Sequence, residues 1–449
     1  MIFYDSISIT LLKLSPFSKN NEFSYINIEN TNLYTLIRHT KSKEGDVISV
    51  RKKNFVIIWL ANFFVSASTT MIVPFLSLYI ETISPHPGGY VQRWSGYVFG
   101  VTFLMAFIVS PFWGRFGDKR GYKKILLITG TGIAVSILLM GFVTSVHQLF
   151  FLRMLMGLVT GFIPTSLAMI SAQTPKQTAG KTLGTLQMGQ VSGTLFGPLL
   201  GGLLADSFGF TYTFFITSFV IFSSVLLVLF KVNEQPLGEK KDKQKTYSRK
   251  QVLSYIFHQP ALLVMMVLTM LVQTGNFSIQ PLLALYVNEL HGPVNLAFFS
   301  GMAFSATGLG SLLLARKWGD LGDRFGHRRI LIVLLTAAAV FFIPQALASS
   351  LSMLLVFRFL FGLVMGGTLP CITASIRVQA PGSIQGEVLG YNVSFRFLGN
   401  VLGPLLGGVV SSSFSISAAF YVTAFLFLAG AGLLWLTERM QKESAANAG

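Results

Sequence analysis

The chain has 449 residues, of which 52% are hydrophobic and 11% charged, against about 25% charged residues in an ordinary soluble domain. So few charged side chains cannot cover a water-facing surface, which excludes a soluble globule and points to an all-α, polytopic membrane protein. The net charge of +17 raises nucleic acid as a partner, and the single cysteine, Cys371, excludes an intrachain disulfide and a multi-cysteine metal site.

Residues 1–50 are polar and rich in Asn, Ser and Lys, with no run long enough to span a bilayer and no signal-peptide pattern. Two readings stand: a regulatory tail, or an extension added by an over-called start codon. Lys43-Glu44-Gly45-Asp46 is what a purine-rich ribosome-binding site looks like when translated, and Val47 or Val50 then begins the protein.

From Arg51 onward, apolar runs of the ~20 residues needed to cross a membrane recur twelve times. They cover 54–80, 94–113, 124–143, 147–171, 183–205, 211–231, 261–287, 295–315, 328–348, 352–376, 386–410 and 416–436. Lipid offers no partner to backbone polar groups, so each run is predicted to be a helix. The predicted organisation is a six-helix bundle over 51–231, a polar linker over 232–260, a second six-helix bundle over 261–437 and a tail over 438–449.

Of the 34 Lys and Arg residues, 30 fall on one side of this topology, Arg93 alone falls on the other, and Arg153, Arg358 and Arg396 lie inside spans. The positive-inside rule then places both termini in the cytoplasm and the chain in the cytoplasmic membrane. The charge excess is thereby explained by topology, and a nucleic-acid role loses its main support.

Between spans 2 and 3 lies a short basic turn, Gly114-Arg-Phe-Gly-Asp118-Lys119-Arg-Gly121-Tyr122-Lys123. It recurs between spans 8 and 9 as Gly319-Asp-Leu-Gly-Asp323-Arg324-Phe-Gly326-His-Arg328, 205 residues on. Arg153-x-x-x-Gly157-x-x-x-Gly161 likewise repeats as Arg358-x-x-x-Gly362-x-x-x-Gly366. Gly197-Pro198-Leu-Leu-Gly201-Gly202 repeats as Gly403-Pro404-Leu-Leu-Gly407-Gly408, and Pro74–Tyr79 echoes Pro281–Tyr286. The chain is therefore a tandem duplication of a six-span unit, with the two bundles pseudo-symmetric about the membrane normal.

The doubled G-x-x-x-D-[RK]-x-G-x-[RK] turn resembles the signature loop of the major facilitator superfamily. The Gly-x-x-x-Gly-Pro-x-x-Gly-Gly run through Gly193, Gly197, Pro198, Gly201 and Gly202 resembles the antiporter motif of its drug:proton antiporter branch with twelve helices. Trp94-Ser-Gly, Ser110–Gly114 and the span 11 string around Arg396 look like the MdtG-type multidrug resistance proteins. The resemblance implies a transporter, not an enzyme, working by alternating access on small-molecule substrates, with protons as the coupling ion, the lipid bilayer as its surroundings and no cofactor beyond the proton gradient. It implies efflux of small amphiphilic drugs or toxic compounds by a monomer. A transporter of one metabolite, such as a sugar or organic anion, is the alternative.

The same resemblance gives the signature loop a latching role, carried by Asp118 with Lys119 and Lys123, and in the second copy by Asp323, Arg324 and Arg328. Tyr122 departs from the arginine usual at that place. Arginine at the position of Arg153 is linked to proton transfer, with snorkelling toward the outer interface as the plain alternative. The candidate proton carriers are Asp118, Glu81 and Glu387, since no acidic residue lies mid-span in spans 1, 4, 7 or 10. The resemblance implies that those four spans line the cavity, where they offer Asn62, Ser66, Thr69, Thr165, Gln273, Asn276, Gln280 and Thr368. Arg396 lies about ten residues into span 11, roughly 15 Å deep at ~1.5 Å per residue. It reads either as a cavity cation or as a strut bonded to backbone carbonyls.

A chain beginning at Val47 is expected to insert and transport like the full sequence, because the basic triplet Arg51–Lys53 that orients span 1 is retained. Loss of membrane insertion in that variant would assign the first 46 residues a required role.

Overall fold

A computed structural model describes residues 53–84, 86, 89–175, 178–233 and 249–447, and side chains at Pro111, Gly114, Arg115, Asp118, Lys119, Arg249 and 441–447 lie outside that description. The reading of residues 1–50 as a tail or over-called start also lies outside it, as does most of the linker. Among the described residues every regular element is helical, and twelve helices are long and apolar enough to span a membrane.

They are α1 (Lys53–Ile83), α2 (Tyr90–Arg120), α3 (Tyr122–Met140), α4 (Val146–Gln173), α5 (Ala179–Phe208), α6 (Phe210–Lys231), α7 (Pro260–His291), α8 (Leu296–Phe325), α9 (His327–Ala346), α10 (Leu351–Gln379), α11 (Gln385–Ser413) and α12 (Ile416–Asn447). Within the stretch expected to be a plain polar linker, Arg249–His258 forms a further short helix. Its Val252 and Ile256, one turn apart, are buried, which gives this polar segment an apolar face to pack.

Proline placement explains two breaks. α1 passes through a short 3-10 turn at Val73–Phe75 around Pro74, and α7 is interrupted at 279–282 around Pro281. Proline removes one helical hydrogen bond and clashes with the preceding turn. Just beyond each break a tyrosine pins the helix to its neighbour: Tyr79 Oη donates to the Met140 carbonyl at 2.9 Å and Tyr286 Oη to the Gln345 carbonyl at 2.7 Å. α4, expected to be continuous, breaks at 159–161 and resumes after Gly161, and the Trp113 indole donates to the Leu158 carbonyl at 2.8 Å beside the break.

The tandem repeat extends to individual hydrogen bonds. Thr102 Oγ1 donates to the Arg153 carbonyl at 3.2 Å, and Thr307 Oγ1 to the Arg358 carbonyl at 3.3 Å. Trp113 to Leu158 recurs as Trp318 to Leu363, at 2.7 Å. Each pair is displaced by the same 205 residues found in the sequence.

Packing between helices rests on glycine. On α5, a Cβ added at Gly193 would collide with the Phe63 carbonyl of α1, one at Gly197 with Ala67, and one at Gly201 with the Met71 carbonyl. On α11, Gly399, Gly403 and Gly407 meet the carbonyls of Met270, Thr274 and Ser278 on α7 in the same way. The next glycine in each series turns to the other half. Gly202 lies against the Ala297 carbonyl of α8, and Gly408 against Gln92 and Gly96 of α2. The α5–α8 and α2–α11 pairs therefore form the seam between the halves.

Gly197→Ala and Gly201→Ala are expected to destabilise the protein by about 1–3 kcal/mol each, the usual cost of overpacking. Gly180→Ala and Gly184→Ala on the same helix, where nothing lies within 4 Å of an added Cβ, are expected to be neutral or slightly stabilising. Thermal unfolding of the purified variants checks this, and equal tolerance at all four positions would reject the packing face.

Candidate functional site: a central cavity and its far-end gate

The two halves meet mainly at the end of the molecule away from the basic turns. There Leu195, Pro198 and Gly202 of α5 face Ala297, Gly301 and Ser305 of α8, while Gln92 and Gly96 of α2 face Pro404 and Gly408 of α11. Toward the basic end, Gly180 and Gly184 on α5 and Gly386 and Gly390 on α11 face open space. The seam is shut at the far end and parted at the basic end.

Within the angle lies a cavity of about 550 Å³. Its apolar walls include Phe277, Phe304, Leu312, Met365 and Leu369, and its polar groups include Gln190, Thr194, Gln273, Asn276, Gln280, Thr368, Asn400, Arg358 and Arg396. Gln273, Asn276 and Arg396, named from the sequence as cavity candidates, are among this lining. Asn62 and Ser66 do not: Asn62 is fully buried and Ser66 packs against Gly193, so neither lines the cavity. The glycine face draws α1 onto α5 and turns Ser66 into the helix contact. Thr69 and Thr165 are also absent from the lining, and α4 contributes nothing to it. The expected symmetric four-helix lining is replaced by α5 facing α7, α8, α10 and α11, with Thr70 and Val73 from α1.

The proton-coupling candidates do not converge. Glu81 is exposed near the end of α1, and Glu387 is half-buried in the first turn of α11, where the helix N-terminus favours a carboxylate. Neither lines the cavity. Arg153 is buried with its guanidinium 5.8 Å from the Phe99 ring centre, and its Nε and Nη2 have no hydrogen-bond partner among the described residues. Its repeat partner Arg358 instead donates from Nε to the Ala303 carbonyl of α8 at 3.1 Å. Both arginines are buried, so snorkelling to an interface does not describe their placement.

The signature turns are tighter than their sequence suggests. α2 and α8 run through them and leave one linking residue each, Gly121 at φ 94° and Gly326 at φ 93°, a left-handed conformation that suits glycine. Gly114, Asp118 and Lys119 thus belong to the end of α2 and Gly319 to α8, while Lys123 and Arg328 open α3 and α9. The latch assigned to Asp118 and Lys119 lies outside the described side chains. Tyr122 has a structural role in place of the absent arginine: its ring covers Gly117, as His327 covers Gly322 in the second copy. His327 Nε2 also lies 3.1 Å from Asp323 Oδ1, and Arg324 occupies the last turn of α8.

Asp206 is the residue that sequence reading missed. It stands in the last turn of α5, where the helix dipole disfavours an acid. Its carboxylate crosses the seam and accepts from the backbone N–H groups of Ala297, at 3.2 Å, and Phe298, at 2.8 Å, at the start of α8. The signal available in the sequence was an acid at the wrong end of a helix. Exposed as it is, such a helix-end contact is worth about 0.3–1 kcal/mol, a modest addition to the closed seam.

Asp206→Ala is expected to loosen the far-end seam. Spin labels at Tyr212 and Val294, both exposed at that end, should report a broader, longer distance distribution than in the parent. An unchanged distribution would remove Asp206 from the gate.

Comparison with known proteins accords with this architecture. The sequence pattern of the Major Facilitator Superfamily matches residues 58–316 and 265–449. An uncharacterized MFS-type transporter, YuxJ of Bacillus subtilis (strain 168), is 84% identical over 391 residues, covering 87% of this chain and 100% of that one. The multidrug resistance protein MdtG of Rahnella sp. (strain Y9602) is 41% identical over 86% of this chain and 94% of its own. Among solved structures, a bacterial homolog of the human lysosomal transporter Spinster, in an inward-facing and unoccupied conformation, superposes with a TM-score of 0.73 at 15% identity, covering 87% of this chain and 97% of that one.

Proposed function

Since the chain belongs to the Major Facilitator Superfamily, we propose that it exports small amphiphilic drugs or toxic compounds across the cytoplasmic membrane. The observation that carries this reading is the 41% identity to a multidrug resistance protein along nearly the whole of both chains. A mostly apolar cavity with a few polar groups suits amphiphiles of varied shape.

In this reading both termini and the basic turns are cytoplasmic, so the cavity is open to the cytoplasm. Substrate enters from the cytoplasm or the inner leaflet. The halves then rock about the glycine seam, the basic end closes and the far end opens. Asp118, with Lys119 and Lys123, latches the basic end, and the loop at Asp323, Arg324 and Arg328 is its counterpart. Inward movement of protons drives the cycle, with Arg153 and one of Asp118, Glu81 or Glu387 handling the proton. The working unit is a monomer without a bound cofactor.

Cells producing the protein are expected to survive several chemically unrelated toxic compounds at raised concentrations. Inverted membrane vesicles are expected to accumulate the same compounds only while a proton gradient is maintained. Uptake of a single metabolite, with no protection against any toxic compound, would replace this reading with that of a dedicated metabolite carrier.

A further inference from the structure

The cavity has a charge imbalance. Among the described residues, two that bear a guanidinium, Arg358 and Arg396, line it, and no Asp or Glu does. Arg358 is held by its bond to the Ala303 carbonyl. Arg396 is exposed to the cavity, with no ion-pair or hydrogen-bond partner among the described residues. This differs from a backbone strut, which would be seen bonded to carbonyls.

At one repeat position the two halves differ in charge. Gln190 of α5 and Arg396 of α11 are equivalent in the tandem repeat and both line the cavity, as do the next pair one turn on, Thr194 and Asn400. The fold is served by a neutral amide at this site in the first half, so packing does not demand the charge in the second.

An arginine facing a water-filled cavity is hydrated. When the basic end closes and water leaves, that hydration is lost, and an unpaired cation in a dry site is heavily penalised. A bound ligand bearing negative charge removes the penalty. The planar guanidinium fork matches the paired oxygens of carboxylate, sulfonate or phosphonate groups, while Phe277, Phe304 and Met365 offer apolar contact to the rest of the molecule.

We propose that Arg396, with Arg358 in the same lining, forms a headgroup site selecting amphiphilic anions, and that filling this site permits closure of the basic end. This rests on the transporter reading above, but its site is tested by binding alone, without any gradient or direction of transport.

The probes are 8-anilinonaphthalene-1-sulfonate and its uncharged relative N-phenyl-1-naphthylamine, titrated by fluorescence into the full chain in nanodiscs, with empty nanodiscs subtracted. R396Q is expected to weaken sulfonate binding about tenfold, in the range of one lost charge-assisted hydrogen bond. Binding of the neutral probe should change by less than about twofold, within the scatter of a surface-type substitution. R396K should recover most of the sulfonate affinity, because it restores the charge without the fork. R358Q, if it retains the parent's helicity and melting temperature, should lower sulfonate binding further in the R396Q background. Equal loss of both probes in R396Q, or no loss of either, overturns the anion site. Selective loss of the sulfonate supports it even if vesicle assays show that transport runs inward, so the export reading and the headgroup site fail separately.

Discussion

Backbone-to-backbone contact along two glycine faces is the constraint on which the rest of this structure depends. Lipid tails are as apolar as the side chains they touch, so no hydrophobic gain pulls one membrane helix onto another. Close approach must supply the attraction through dispersion and carbonyl contacts. Gly193, Gly197 and Gly201 on α5, and Gly399, Gly403 and Gly407 on α11, let α1 and α7 come close enough for this. Successive helix residues turn by about 100°, so Gly202 and Gly408, one position on, face the opposite half. The same short sequence thus sets packing within each bundle and the seam between them.

The cavity follows from that seam. With α5 against α8 and α2 against α11 at the far end, the helices diverge toward the basic end and leave space between them. The far-end closure is reinforced modestly by Asp206 on the start of α8. In the proposed export cycle this end separates, and weak reinforcement suits that: a seam of small residues and one exposed helix-end contact has little to break, whereas a buried ion pair would lock it.

Charge is where the two halves differ. Threonine, tryptophan and tyrosine bonds recur from one half to the other almost atom for atom. The buried arginines do not behave alike: Arg358 reaches a carbonyl of α8 and borders the cavity, while Arg153 rests near Phe99 with donors unmatched among the described residues. The framework is duplicated because both bundles solve one packing problem. The cavity groups are not, and in the proposed function a substrate held between two halves need not be symmetric.

The twelve spans, their grouping in two sixes and the glycine faces were legible in the sequence by itself. Each depends on local properties: apolar run length, short repeated strings, and small residues four apart on one helix. The depth of Arg396 was likewise readable from distance along a helix. Only the tertiary structure decided that Asn62 is buried and Ser66 turns into the α1–α5 contact, that α4 is absent from the lining and that Arg358 joins it. It also decided that Asp206 caps a helix 91 residues away in the chain. Those facts depend on how helices rotate about their axes and which end of the seam is closed. Rotation and closure are settled by contacts between distant segments, for which an apolar sequence with period near 3.6 on every face carries no local signal.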